Sequence, residues 1–519
     1  MNQQIKELIF GYNNLERIVS VEPMEGKLII FKEMKDSTIQ IEELELDYWF
    51  LTHDLLSEKQ MKLNGNQWYR YMATFSSFDE KEAAKKKVLK SGYFKDNIYQ
   101  MYDKKEASLV RNGMTYFKGM KDPSEISILS VDIESDGLKQ TNNSEIYLIT
   151  NTFRKQNKIT QKYFDLSNFK NQKEMIDSWC NWVREVDPSI VIGHNFYMYD
   201  LPYLNHVAEI NGTELLLGRD GSTIKFNTYE SKKRKDGSQD YMYKKAWIFG
   251  REIICSLFMS IDYDIGRNFT SYALKQVVKD LGMEKFDRSY VDASQIKTYY
   301  KNRQKDPEMW QKVIQYGIED SEDPIKLFDI MIPAKFFFTQ SVSKSFQEMC
   351  TSASGSQLNN IMVRSYLQNG NSIAKSSPSK PFKGAISIGF PGFYKNVVRW
   401  DAAALYPSIM RQHKLYDKVK DPNAKFIDLV EYFTLERLLN KKLAKETGLQ
   451  YYKDLEQTMK VSINSCYGFL GTPGLNYNYP DGAEFITTKG RELLERMIKW
   501  ASGKTLNELT TETSELDAT

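Results

Sequence analysis

Disulfides and zinc have little to work with in this chain. Its four cysteines, Cys180, Cys255, Cys350 and Cys466, are far apart and form no CxxC pair, and the histidines also number four in 519 residues. That scatter excludes a disulfide framework and a Cys/His zinc site, and it suits a reducing compartment. No apolar run approaches the roughly 18 residues that span a bilayer. The opening residues Met1 to Glu7 lack a charged-then-apolar leader, so the expectation is a cytoplasmic protein with no membrane partner. A bulk excess of positive charge is missing too. The formal net charge is +3, which does not announce a nucleic-acid binder. No repeat of fixed period and no low-complexity tract is present.

What is there is ordinary globular material, 41% hydrophobic and 13% aromatic, too long for one core; three or four domains are expected. Residues up to about 110 read as mixed α/β, with strand-like runs such as Lys27–Phe31. Pro123 marks a boundary. From Ile126 to about Lys335 short apolar strands alternate with helical segments, an α/β pattern. Asn371 to Lys380 is a polar loop that is expected to lead into a further strand-rich region. Two local structures stand out. Lys232 to Lys245 reads as a β-hairpin turning at Asp236-Gly237. Thr434 to Ser465 reads as a helical hairpin with Leu435, Leu438, Leu439 and Leu443 at helical spacing and Gly448 as the stop.

Acidic residues recur at the ends of apolar segments in the first half. In Ile126 to Glu134 a strand places Asp132 and Glu134 on one face, opposite Leu129, Val131 and Ile133. Two adjacent carboxylates repel and are costly to desolvate, a penalty that a divalent cation removes. Asp200 follows the strand-turn Ile190 to Tyr199, where an isolated Asp reads equally as a helix N-cap. Tyr316 and Asp320 share a helical face, which alone is an ordinary surface pair. The acidic clusters' counterpart, Lys232-Lys233-Arg234-Lys235, is in isolation a solvated charge run.

Taken in order, D-x-E, N-x-x-x-[FY]-D and Y-x-x-x-D resemble the three motifs of the DEDDy 3′→5′ proofreading exonucleases. The resemblance implies that Asp132, Glu134, Asp200 and Asp320 hold two Mg²⁺ or Mn²⁺ ions. Tyr316 would orient the attacking water, and Asn195 would support the site and contact DNA. Tyr199 stands where the family usually has Phe. The family places a strand-separating hairpin where Lys232, Lys233, Arg234 and Lys235 lie, so these are candidate DNA contacts.

Further on, Asp401-Ala402-Ala403-Ala404-Leu405-Tyr406-Pro407-Ser408-Ile409 resembles motif A of family B DNA polymerases, with Ala404 in place of Ser. Lys460 to Gly468 resembles motif B, K-x-x-x-N-S-x-Y-G. By resemblance, Asp401 and the Ala402 carbonyl bind metal. Leu405 and Tyr406 meet the deoxyribose. Arg437, Lys441, Lys460 and Asn464 meet the triphosphate, and Tyr467 and Gly468 meet the nascent base pair. Phe382-Lys383-Gly384-Ala385 resembles the template-contacting segment, so Lys383 and Gly384 are further DNA contacts. Ile486 to Leu494 resembles the helix that precedes motif C. No Y-G-D-T-D follows it, and the last acid, Asp517, does not resemble one.

The implied architecture is α/β and α+β multidomain. Residues 1–122 with part of 336–380 form an N-terminal domain, and 123–335 a ribonuclease H-like exonuclease domain. Residues 381–430 and 466–519 form an incomplete palm around short fingers at 431–465. Implied partners are primer–template DNA, single-stranded 3′ ends and dNTPs. A second polymerase subunit carrying motif C and the thumb would complete the site, a sliding clamp is consistent with the family, and the tailed-bacteriophage replicative enzymes are the nearest type, placing the chain in a host cytoplasm. The alternatives are a stand-alone exonuclease with a vestigial palm, a non-catalytic DNA-binding module, and an interrupted reading frame.

Overall fold

The computed structural model describes residues 3–156, 158–232, 240–387, 389, 392–402 and 404–509. The turn of the basic hairpin, with Lys233, Arg234, Lys235, Asp236 and Gly237, lies outside the described residues, as does Asp517. The chain is mixed α/β and multidomain, as its sequence pattern implies.

The centre of the first half is a five-stranded mixed sheet. In spatial order its strands are Lys158–Asp165, Ile146–Lys155, Ile128–Ser135, Ile190–Gly193 and Glu252–Cys255. The first three are antiparallel, and the last two run parallel to Ile128–Ser135 and to each other. In the four strands other than Lys158–Asp165, whose first six residues are exposed, nearly every residue is buried, as expected when both faces of a sheet are covered. Leu129, Val131, Val191 and Ile253 join the core shared with the helices Gln172–Val186 and Asp200–Ile210. The alternate residues Ile128, Ile190, Ile192 and Ile254 join the other core, which continues into the N-terminal residues and the helices after residue 325. Period-two alternation thus divides the hydrophobic interior between the two sides of one sheet.

Polar contacts fix the N-terminal region to this sheet. Glu33, on the strand Lys27–Glu33, accepts from Ser127 N at 2.9 Å and Ser189 Oγ at 2.6 Å. Asp122, Pro123 and Glu125 build a capped turn at the expected boundary, and Arg17 reaches Glu125 at 2.7 Å.

One sequence expectation fails in the second half. Among the described residues no strand follows Cys255, so the region after Lys380 is not strand-rich. Val397 and Val398, 74% and 75% exposed, have β-forming side chains but no sheet to join; a strand's hydrogen bonds exist only with a partner. The helical hairpin is present and longer than expected, Lys425–Thr447 and Gln450–Gly471, with Gly448 left-handed at φ 71° at the break. Leu435, Leu438 and Leu439 are exposed, whereas Phe426, Leu429, Val430 and Phe433 face the core.

Candidate exonuclease and polymerase sites

Each acid of the first half is held by regular structure. Asp132 and Glu134 lie on the central strand opposite Thr150 and Leu148. Asp200 is not the cap of its helix but its first residue, after Tyr199. It is 3% exposed. Tyr316 and Asp320 are on the long helix Pro307–Met331. That helix is pinned to the sheet where Thr150 Oγ1 donates to Gly317 O at 2.8 Å and Thr152 Oγ1 meets Ser321 Oγ at 2.9 Å. Gly317 permits the approach, because a Cβ there would stand 2.9 Å from Thr150 Cγ2. The departure at Tyr199 has a use: its hydroxyl is 2.6 Å from Ser135 Oγ at the end of the central strand.

Electrostatically the four acids behave as one group. Burial, then the charges of Glu134, Asp320 and Asp200, push Asp132 well above the usual carboxylate range. Burial, with the Asp320 charge next, pushes Glu134 up to about 8. Asp200 is likewise raised to about 8 by burial. Asp320 is also raised, chiefly by burial, although Lys275 and Arg288 oppose the shift. Lys275 Nζ is 3.2 Å from Asp320 Oδ2. The same ammonium donates to the Tyr316 hydroxyl and lies 3.9 Å from the centre of its ring. Arg288 Nη2 donates to Asp320 Oδ1 at 2.7 Å.

Sequence reasoning missed both cations. The available signal for Lys275 is its place at the start of the short helix Leu274–Asp280, between the second and third motifs; Arg288 lies in a loop and carries none. Among the described residues no three His, Cys, Asp or Glu side chains are already closed to metal-ligand spacing. The donor chemistry nevertheless fits a divalent cation, since buried carboxylates that raise one another's pKa are the groups such an ion stabilises.

Asn195 is left-handed, with φ 58°, and its Oδ1 is buried with no hydrogen-bond partner among the described residues. It borders a cavity of about 850 Å³ with His194, Tyr241, Phe269 and Tyr272. His194 bonds Ser256 Oγ at 2.9 Å and Tyr272 O at 3.0 Å. Burial lowers its pKa to about 4, so it is neutral. Lys232 turns inward: its ammonium reaches Asp262 at 2.8 Å and its side chain is 10% exposed. An engaged, buried lysine does not offer DNA the free cation that its basic run suggested.

The polymerase-like residues are less enclosed. Asp401 and Ala402 are exposed in a segment without regular structure. Ala404, left-handed at φ 51°, leads into the helix Leu405–His413. The rings of Tyr406 and Tyr467 meet at 4.7 Å, so the two segments that resemble motif A and motif B are brought together there. Gly490 backs Tyr406, as a Cβ at Gly490 would be 3.3 Å from Tyr406 Cε1. The Lys383 and Gly384 carbonyls accept from Arg491 at 2.6 and 2.7 Å. Arg437 pairs with Glu456 on the returning helix at 2.9 Å, and Lys441 and Gly468 are exposed. Lys460 and Asn464 line a cavity of about 1040 Å³ shared with Lys335 and Asp262.

A five-stranded mixed sheet with acids on its central strand and a crossing helix is the ribonuclease H-like exonuclease arrangement. Residues 55–277 match the family model "DNA polymerase family B, exonuclease domain". The chain is 26% identical over 430 residues to a DNA polymerase of Thermococcus sp. (strain 9oN-7), covering 73% of this chain and 51% of that one. It is also 26% identical over 369 residues to the DNA polymerase delta catalytic subunit of Caenorhabditis elegans, covering 63% of this chain and 33% of that one. The solved family B DNA polymerase of Pyrobaculum calidifontis superposes with a TM-score of 0.72 at 15% identity, over 93% of this chain and 71% of the other. Residues 55–277 are thus similar to the exonuclease domain of DNA polymerase family B, and the chain spans about half the length of the archaeal relative it matches.

Proposed function

We propose that this chain removes nucleotides from 3′ ends of single-stranded DNA and forms the proofreading and nucleotide-binding part of a family B DNA polymerase in replication, of bacteriophage type. The observation that carries the reading is the buried, mutually repelling set Asp132, Glu134, Asp200 and Asp320 beside Tyr316. These four carboxylates would hold two Mg²⁺ or Mn²⁺ ions. Bound there, divalent ions would sharpen a water and stabilise the leaving oxygen of the phosphodiester. The Tyr316 hydroxyl, its pKa raised above the phenol's ordinary value by burial and by the acids around it, stays protonated and can hold the water by hydrogen bonding rather than deprotonate it. Asn195 offers its unpartnered Oδ1 and the adjoining cavity to the strand end.

The test is release of 3′ nucleotides from a labelled oligonucleotide in Mg²⁺, with Asp132→Ala/Glu134→Ala as control. Unchanged release by that double variant overturns the site.

A second role is supported by the ring contact of Tyr406 with Tyr467. We read Asp401 with the Ala402 carbonyl as half of a metal site, and Leu405, Tyr406, Lys460, Asn464, Tyr467 and Gly468 as a nucleotide pocket. Arg437 would have to leave Glu456, and Lys441 to swing inward, to join it. Lys383 and Gly384 would meet the template. Two-metal phosphoryl transfer needs a second carboxylate facing Asp401; a second subunit carrying motif C and the thumb would supply it. Templated dNTP incorporation that appears only when such a polypeptide is added is the expected result. Incorporation by this chain alone counts against the split arrangement.

A further inference from the structure

Asp320 is held differently at its two oxygens. At Oδ1, Arg288 Nη2 donates at 2.7 Å, and the same guanidinium donates through Nη1 to Asp323. Arg288 is 4% exposed and Asp323 is 2% exposed. Lys326 holds Asp323 from the next turn at 3.1 Å, and Ser289 N, beside Arg288, donates to Glu319 Oε2 at 2.8 Å. The guanidinium is therefore fixed by two carboxylates on one helical face and by its own loop. At Oδ2 the partner is Lys275, a flexible side chain 31% exposed, whose ammonium is 3.2 Å away.

We propose that Arg288 is a positioning residue: it reserves Oδ1 of Asp320, so that this acid meets a divalent ion through Oδ2 alone while Lys275 yields its place. The inference rests on the metal-site reading of the acid cluster. Arg288 touches neither substrate nor reacting atoms. Its effect is to stop the carboxylate from turning to bind with both oxygens, and to keep one positive charge beside the ligands. Both effects weaken the hold on metal, the added positive charge by repulsion, while the fixed orientation of the ligand is what the second shell of a metal site supplies.

Removing Arg288 should therefore move metal affinity and turnover in opposite directions. Mn²⁺ binding by the full chain is read by electron paramagnetic resonance of the free ion, and turnover by nucleotide release in Mn²⁺. Arg288→Leu is expected to bind Mn²⁺ at least about threefold more tightly, because a repelling positive charge is gone, and to release nucleotides on the order of 10–100-fold more slowly. Arg288→Lys keeps the charge but cannot bridge Asp320 and Asp323, so its Mn²⁺ affinity should stay near wild type while turnover falls part of the way. Arg288→Leu/Asp323→Asn also removes the buried acid that loss of the guanidinium would leave without that partner, and it should keep the tighter binding if the single variant folds poorly. Mn²⁺ affinity unchanged or weakened in both leucine variants overturns the proposal, as does turnover that falls only with the folded fraction. Wild-type chain that binds no Mn²⁺ sensitive to Asp132→Ala/Glu134→Ala overturns it as well. Wild type that binds Mn²⁺ there yet releases no nucleotide overturns the exonuclease reading only, and the binding isotherms still judge Arg288.

Discussion

Asp132 and Asp401 are both acids expected to hold metal, and their surroundings are opposite. Asp132 sits on the middle strand of a sheet buried on both faces, with Glu134, Asp200 and Asp320 close enough to raise its pKa. Asp401 is exposed in a segment without regular structure, reached through two exposed valines. One acid is buried among like charges; the other is open to solvent. A carboxylate near water has little electrostatic reason to recruit an ion, whereas a buried set of four has a strong one. Under the proposed function, the contrast places nucleotide release at the Asp132 cluster and makes any chemistry at Asp401 depend on additional structure around it.

The largest effect that could break this contrast is on nucleotide release. Asp132→Ala/Glu134→Ala should lower it by about a thousandfold or more, several kcal/mol of transition-state stabilisation. Asp401→Ala should leave it within about twofold, well under 1.4 kcal/mol. Equal losses in the two variants would mean that the halves share one site. Next comes Gly317→Ala. The added methyl would press on Thr150 and move the helix bearing Tyr316 and Asp320 off the sheet. A displacement near 1 Å costs on the order of 10²-fold, so single-turnover rates should drop while binding of the oligonucleotide persists.

The third test uses pH and metal removal. Glu134 has its pKa raised from 4.5 to about 8 in the fold. The folded chain thus holds this proton more tightly than the unfolded chain. The associated stability is fully present below about 4.5 and is lost as pH rises through about 8. In chelator, the melting temperature should decline across that window. Glu134→Gln should flatten the decline and melt higher at pH 8, by about 2–4 °C for each 1 kcal/mol recovered. Adding Mg²⁺ should raise the wild type at pH 8 more than it raises the variant. Melting curves with and without chelator decide it, and a wild type that gains stability from pH 5 to 8 contradicts the burial of charge.

How far the sequence foretold this depends on what each element needs from elsewhere. The exonuclease sheet was legible because its strands are continuous apolar runs and its acids interrupt them at fixed spacing. The helical hairpin was legible in its existence and in Gly448, since both are local. Lys275 and Arg288 were not, because a basic residue at a helix start or in a loop acquires meaning only when the chain folds it against Asp320. The region after Lys380, with Val397 and Val398, was expected to be strand-rich, but strand formation depends on a neighbouring strand. Which stripe of that helix packs was not legible for a similar reason: Leu429 and Phe433 compete with the leucines on the same helix, and packing chose them.

That choice supplies the smallest and sharpest test. Leu438 is 57% exposed and Phe433 is fully buried, with its ring centre 6.2 Å from that of Phe338. If the helix is oriented as described, Leu438→Lys should change unfolding free energy by no more than about 0.5 kcal/mol. Phe433→Ala should cost about 3–5 kcal/mol, from lost transfer energy and the cavity left behind. Breaking the partly exposed Arg437–Glu456 pair, its side chains 23% and 22% exposed, by Arg437→Ala should fall between them, at about 0.2–1 kcal/mol, because solvent still reaches and screens it. Urea unfolding of the three variants gives the order directly. If Leu438→Lys proved the most damaging, the helix would be rotated by about half a turn, and Arg437 would no longer face Glu456.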